Sequence, residues 1–181
     1  MLFKFNVTLS DKDYLDYNVF WMTKSHYGKK SMIGARNLFL IVAVMISLLI
    51  FVKDGFSLHT AITIIPYLIP IALLAILYKP FCIWLLKVQI KSMKKKGKLA
   101  YSPVSEMEFY EEYFTETTPE NKTEQKYSAI ERVSILSDRA MYIHVNNVMS
   151  YILPFPAFES EEQYNKFLAF IKTKCENIDT F

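Results

Sequence analysis

Residues 37–78 read NLFLIVAVMISLLIFV, then Lys53-Asp54, then GFSLHTAITIIPYLIPIALLAILY. The first run, 37–52, is sixteen residues without a charge. At about 1.5 Å per residue it covers roughly 24 Å, less than the ~30 Å of a hydrocarbon core. Met32-Ile33-Gly34-Ala35 extends it backwards, and Arg36 and Lys53 can snorkel at its ends. The second run, 55–78, has twenty-four uncharged residues and spans without help. Both are apolar around the whole helical circumference, unlike the one-sided stripe of a soluble core helix. Lys53-Asp54-Gly55 suits a tight helix–helix turn, with Ser57 as cap of the second helix. The reading is a membrane hairpin over 31–98, with spans at about 35–53 and 57–78. Pro66 and Pro70 lie one turn apart and each removes a backbone donor, which predicts a bend in the second span.

Charge sets the orientation. Lys24, Lys29, Lys30 and Arg36 precede the hairpin with no acid among them. Lys79, Lys87, Lys91, Lys94, Lys95, Lys96 and Lys98 follow it, again without an acid. Eleven of the 21 cations thus flank the outer ends, against Lys53 alone in the turn. The positive-inside rule places both termini in the cytoplasm of a multi-pass protein of the cell (inner) membrane. Tyr78, Phe81 and Trp84 beside Lys79 and Lys87 read as an interfacial anchor. Beyond them Ile83, Leu86, Ile90 and Met93 recur at helical spacing, with Lys87, Lys91, Lys94 and Lys95 opposite. This predicts a basic juxtamembrane helix and a membrane-surface site made of Arg36, Lys79, Trp84, Lys87, Lys91, Lys94, Lys95, Lys96 and Lys98. Its expected partners are the lipid bilayer and its anionic lipid; a plain topology-setting charge cluster is the simpler alternative. Nucleic acid is not an expected partner, because membrane proximity already explains the charge.

The remaining sequence is strand-rich. Phe3, Phe5 and Val7 alternate with Lys4, Asn6 and Thr8, a half-buried strand that needs a sheet to join. Ser10-Asp11-Lys12-Asp13 opens a helix running through Trp21, and residues 1–30 are expected to pack on the C-terminal module. Met107 and Phe109 alternate with Glu106 and Glu108, and further strands are expected at 113–117, 123–127, 132–136, 140–145 and 148–153. Ser128-Ala129-Ile130-Glu131 has the spacing of a capped helical turn, and Asn146-Asn147 that of a two-residue hairpin loop. Ser160-Glu161-Glu162-Gln163 caps a last helix with Tyr164, Phe167, Leu168, Ile171 and Cys175 on one stripe. The fold class is α+β: a two-helix transmembrane hairpin and, over 99–181, a small antiparallel sheet covered by a C-terminal helix and joined by the N-terminal strand.

These residues together resemble the YcxB-like family of bacterial membrane proteins. The resemblance is carried by the opening strand with Asp13-Tyr14-Leu15, by the hairpin, by Glu108-Phe109-Tyr110-Glu111-Glu112-Tyr113-Phe114, by Tyr127-Ser128-Ala129-Ile130, and by Leu153-Pro154-Phe155-Pro156-Ala157-Phe158 ahead of the acidic helix start. It implies a module similar to bacterial pleckstrin-homology-like domains, with an activity that is uncharacterised and no catalytic residue to carry across. Family members often have Trp where this chain has Tyr127, and a basic residue within the motif that here reads Pro154-Phe155-Pro156.

Chemistry finds little footing. His26, His59 and His144 are too dispersed for a metal set, and His144 is expected to face solvent or the sheet edge. Glu106, Glu108, Glu111 and Glu112 fit an exposed strand face and turn rather than an acid/base pair. Four glycines leave no room for a phosphate loop, and Cys82 and Cys175 match no metal or redox spacing. Asn121-Lys122-Thr123 matches the glycosylation pattern but is idle in a bacterial cytoplasm. The expectation is therefore no enzyme, no cofactor and no metal: a membrane-anchored interaction or regulatory module with a protein partner still to be identified. The alternatives are an immunity protein neutralising a bacterial toxin, and a small transporter, which would have to form a homo-oligomer to build a pore. The second span counts against transport, since His59 is its only ionisable residue and sits near the outer interface.

Overall fold

The computed structural model describes residues 1–137, 139–146 and 149–181. It divides into two compact units, Met1–Tyr17 with Gly97–Phe181 as the first and Asn18–Lys96 as the second.

The first unit is the α+β module. Strand β1 (Phe3–Thr8) pairs antiparallel with β2 (Val104–Phe109), from Phe3 opposite Phe109 to Thr8 opposite Val104. Its alternation buries Phe5 and Val7 while Lys4 reaches Glu106 at 2.7 Å on the other face. Strands β3 (Tyr113–Thr117) and β4 (Lys122–Lys126) complete a sheet of order β1-β2-β3-β4. Strands β5 (Arg132–Leu136), β6 (Ala140–His144) and β7 (Ser150–Pro154) form a second antiparallel set. A short β8 (Ile178–Thr180) adds parallel to β5, giving the order β7-β6-β5-β8. One sheet was expected and two four-stranded sheets form. The strand lengths and alternation do not say where the ladder breaks, which happens at a 3-10 turn over Tyr127–Ala129. The two-residue loop expected at Asn146-Asn147 and the start of the strand expected at 148–153 lie partly outside the described residues.

Helix α1 (Asp11–Lys24) is capped as its sequence predicts, the Asp13 amide donating to Ser10 Oγ and the Ser10 amide returning to Asp13 Oδ2 at 2.8 Å. Its first two turns are held on the module. Tyr14 stacks on Tyr101 at 4.7 Å, the Tyr101 hydroxyl donates to Asp11 at 2.7 Å, and Arg139 meets Asp16 at 3.3 Å. The last helix of the chain (Glu161–Lys174), with Ser160 as its cap, inserts Phe167 and Ile171 into the core. The Phe167 ring lies 4.9 Å from Phe5 and 4.7 Å from Phe109, both edge-on, so the helix covers the sheet face that β1 completes. Tyr127 is buried, with its hydroxyl donating to the Tyr110 carbonyl.

The second unit holds α2 (His26–Asp54) and α3 (Leu58–Lys95), both long and apolar enough to cross a membrane. Their apolar residues are exposed around the circumference, Leu49 at 68% and Ile76 at 73%, which no soluble core helix tolerates. The turn between them is built as the sequence reads. Gly55 ends α2 with φ at +74°, and Ser57 Oγ accepts from the Thr60 amide. The helix runs unbroken through Pro66, Pro70 and Pro80, and the juxtamembrane segment expected as a separate helix is its continuation. At about 1.5 Å per residue the 38 residues of α3 extend for roughly 57 Å, well past a ~30 Å hydrocarbon core.

Where α1 meets α2, Ser25 caps the new helix by accepting from the Gly28 amide at 2.9 Å, while its hydroxyl donates to the Trp21 carbonyl. A Cβ on Gly28 would collide with that carbonyl and with the Met22 backbone. The bend therefore requires glycine there.

Candidate membrane-surface site

Helix α3 sorts the residues singled out in the sequence. At about 100° per residue Lys87, Lys91, Lys94 and Lys95 fall within one sector, and Trp84 joins them. All five are exposed. Ile83, Leu86 and Met93 on the other side are half-buried and Ile90 is buried, so the amphipathic split expected there is present. Lys79 stands about 80° from Lys87 and falls in the angular sector of Leu86 and Ile90, outside the cationic face. Lys94 and Lys95 also lie in the last turn, where cations meet the negative end of the helix dipole. Lys96 is the helix C-cap, and Gly97, with φ at +66°, ends the helix. Lys98 belongs to the module and Arg36 to α2, so neither is part of the α3 sector. Trp84 stacks against Phe81 at 5.8 Å, a rigid aromatic pair of the kind that favours a membrane interface.

Charge separates the two units sharply. In Asn18–Lys96 eleven cations face one acid, Asp54, whereas the module carries seventeen acids against ten cations.

Polar groups in the module are organised for structure. His144 is only 4% exposed, a correction to the solvent-facing placement expected from the sequence. On β6 it lies between Ser150, 2.7 Å from Nδ1, and Ser134, 3.0 Å from Nε2. Alternation predicts the face of the strand but not that α1 helps to cover it, with Tyr17 edge-on to Tyr142 at 5.2 Å. Burial, reinforced by the Arg132 charge, pushes the His144 pKa down to about 4. Burial and the bond to Asp11 push the Tyr101 hydroxyl up to about 12. An open hollow of about 250 Å³ is lined by Tyr101, Ser102, Glu116, Thr118 and Glu120 among others, and burial raises the Glu116 carboxyl. Among the described residues no three His, Cys, Asp or Glu side chains gather as metal ligands do.

Sequence reasoning missed a second hollow, in the other unit. A cleft of about 260 Å³ opens between the end of α1, at Trp21 and Met22, and α3, at Cys82, Leu85 and Leu86. Asn18 and Gln89 supply its amides. The nearest sequence signal was the apolar end of α1, which reaches past the module, together with the Ser25–Gly28 bend.

Two helices long and apolar enough to cross a membrane, and an α+β module of opposite charge balance, define a chain of mixed architecture. Within the module, residues 109–171 match the family model described as YcxB-like protein, so the resemblance drawn from the sequence holds over that segment. No curated protein and no solved structure matches the chain.

Proposed function

We propose that this chain is a membrane-anchored interaction module, without catalysis of its own, that presents its acidic domain at the cytoplasmic face of the cell membrane. The observation that carries the reading is the β1–β2 ladder. Thr8 and Val104 face each other in one sheet, and everything between them, hairpin included, is an insertion into that connection. Both ends of the inserted segment return to one folded module, which requires an even number of crossings. The eleven outer cations against Lys53 favour the cytoplasmic side. The Lys87–Lys91–Lys94–Lys95 face with Trp84 would rest on anionic lipid. Tethering raises the effective concentration of the module for other proteins at the membrane, so weak contacts suffice. A basic protein segment is the partner that seventeen acids against ten cations favour.

The test has two arms. In a chain carrying Cys82→Ser and Cys175→Ala, an impermeant thiol reagent added from outside should label a cysteine placed at Gly55 and miss one at Phe181. Labelling at 181 overturns the topology. Cross-linking in native membranes should then recover a protein partner that is lost when residues 101–181 are deleted and retained when Lys94–Lys98 are neutralised. Substrate turnover by the purified chain, abolished by one side-chain change, would overturn the non-catalytic reading.

A further inference from the structure

We propose that the cleft between α1 and α3 holds an acyl chain of a membrane phospholipid, an inference that rests on the membrane reading of the hairpin. The walls are Trp21 and Met22 on one side and Cys82, Leu85 and Leu86 on the other, a hydrocarbon-like lining. The hollow, about 260 Å³, is large enough for solvent, yet its apolar walls give water few partners. Hydrocarbon is the occupant that such walls favour. A bilayer chain is also the one within reach. Helix α3 is a single helix, and its exposed apolar surface runs from the spanning residues at Leu73, Leu74 and Leu77 through Phe81 to Leu85 without a break in the backbone. A lipid tail can slide along it into the cleft without crossing water.

The polar groups are ordered to match. Asn18 is the lining residue of α1 farthest along the chain from α2, and Gln89 the one of α3 farthest from the spanning run. Two amides beyond an apolar slot suit the ester and phosphate oxygens of a lipid whose tail points back to the bilayer. Their uncharged character makes the slot indifferent to headgroup charge, so it is separable from the lysine face, whose expected lipid is anionic.

Trp21 and Trp84 are the only tryptophans, so each can be read alone in the full chain. In phosphatidylcholine vesicles with a rising share of brominated acyl chains, Trp21 of a Trp84→Phe chain should be quenched. Filling the cleft with Cys82→Phe should relieve that quenching at least twofold, while Trp84 of a Trp21→Phe chain is quenched to the same extent with or without Cys82→Phe. Trp21 left unquenched, or quenched equally in the filled variant, overturns the proposal. Diazirine-tailed phosphatidylcholine gives an independent measurement on the unaltered chain. Adducts at 18–22 or 82–89 support the site, and adducts confined to 38–52 and 58–78 overturn it while leaving the hairpin standing. Absence of adducts from all four segments, with both tryptophans unquenched, overturns the membrane reading and this inference with it.

Discussion

The module and the hairpin use the same apolar residue types to opposite ends. In the module Phe5, Met107, Phe109, Phe114 and Phe167 are removed from solvent, and alternate positions such as Lys4 and Glu106 carry the charge. In α2 and α3 leucine and isoleucine point outward on every side, and the contact between the helices takes up only a fraction of them. Periodicity, more than hydrophobicity, tells which solvent each region is built for. A period of two or a one-sided stripe means water outside. Apolar residues all round, left exposed as they are in α2 and α3, fit hydrocarbon outside.

The sharpest way to break that comparison is to remove β1. Its Phe5 and Val7 belong to the module core although 95 residues separate Thr8 from Val104. Deleting residues 1–8 should abolish the protease resistance of the module and leave α2 and α3 helical. A fragment spanning 97–181 that resists protease as well as the full chain would show that β1 is dispensable.

A paired truncation comes next. Phe167→Ala leaves a void among Phe3, Phe5, Phe109 and Phe158 and should cost the module about 3–5 kcal/mol in denaturant unfolding. Leu49→Ala should stay within about 0.5 kcal/mol, because lipid tails are as apolar as leucine. Equal effects would mean that Leu49 is packed.

The buried histidine adds a pH dependence confined to the module. His144 titrates at about 4 in the fold against an ordinary 6.5, so between these values the unfolded chain binds more protons than the folded one. Its contribution is therefore intact above pH 6.5 and falls as pH drops towards 4, by up to roughly 3 kcal/mol. Comparing His144→Gln with the unaltered chain across that window isolates it, and the imidazole titration by NMR gives the pKa directly. A titration near 6.5 would contradict the burial.

A more local effect is expected at the bend. Gly28→Ala must move the Trp21 carbonyl and the Met22 backbone, at about 1–3 kcal/mol. The loss should appear in the thermal melt of the helices and leave the module's unfolding unchanged, since Gly28 lies in the second unit.

Much of this was legible locally. Ser10, Ser57 and Ser160 cap the helices they were expected to cap, and 113–117 and 132–136 are strands with the bounds read from their alternation. Of the membrane-surface residues, five gather on α3 because helical spacing is a local property, while Arg36 and Lys98 fall in other elements. The misses are all contacts between distant segments. The strand β8 is three residues, Ile178-Asp179-Thr180, without alternation, and exists because β5 offers it an edge. His144 is buried between two serines of neighbouring strands, on a strand whose Tyr142 is covered by Tyr17 of α1. The cleft exists because α1 ends beside residues 82–89 of α3.

The sequence by itself determined the two apolar runs, the charge asymmetry around them, the caps and most strand positions, since each is written in the identity of neighbouring residues. Tertiary structure decided that the sheet splits in two, that β1 pairs with β2 across the inserted hairpin, that Gly28 must be glycine, and that a hollow opens at the foot of α3. These depend on which surfaces meet in space, and loop closure over the 95 residues between Thr8 and Val104 leaves no local signature along the chain.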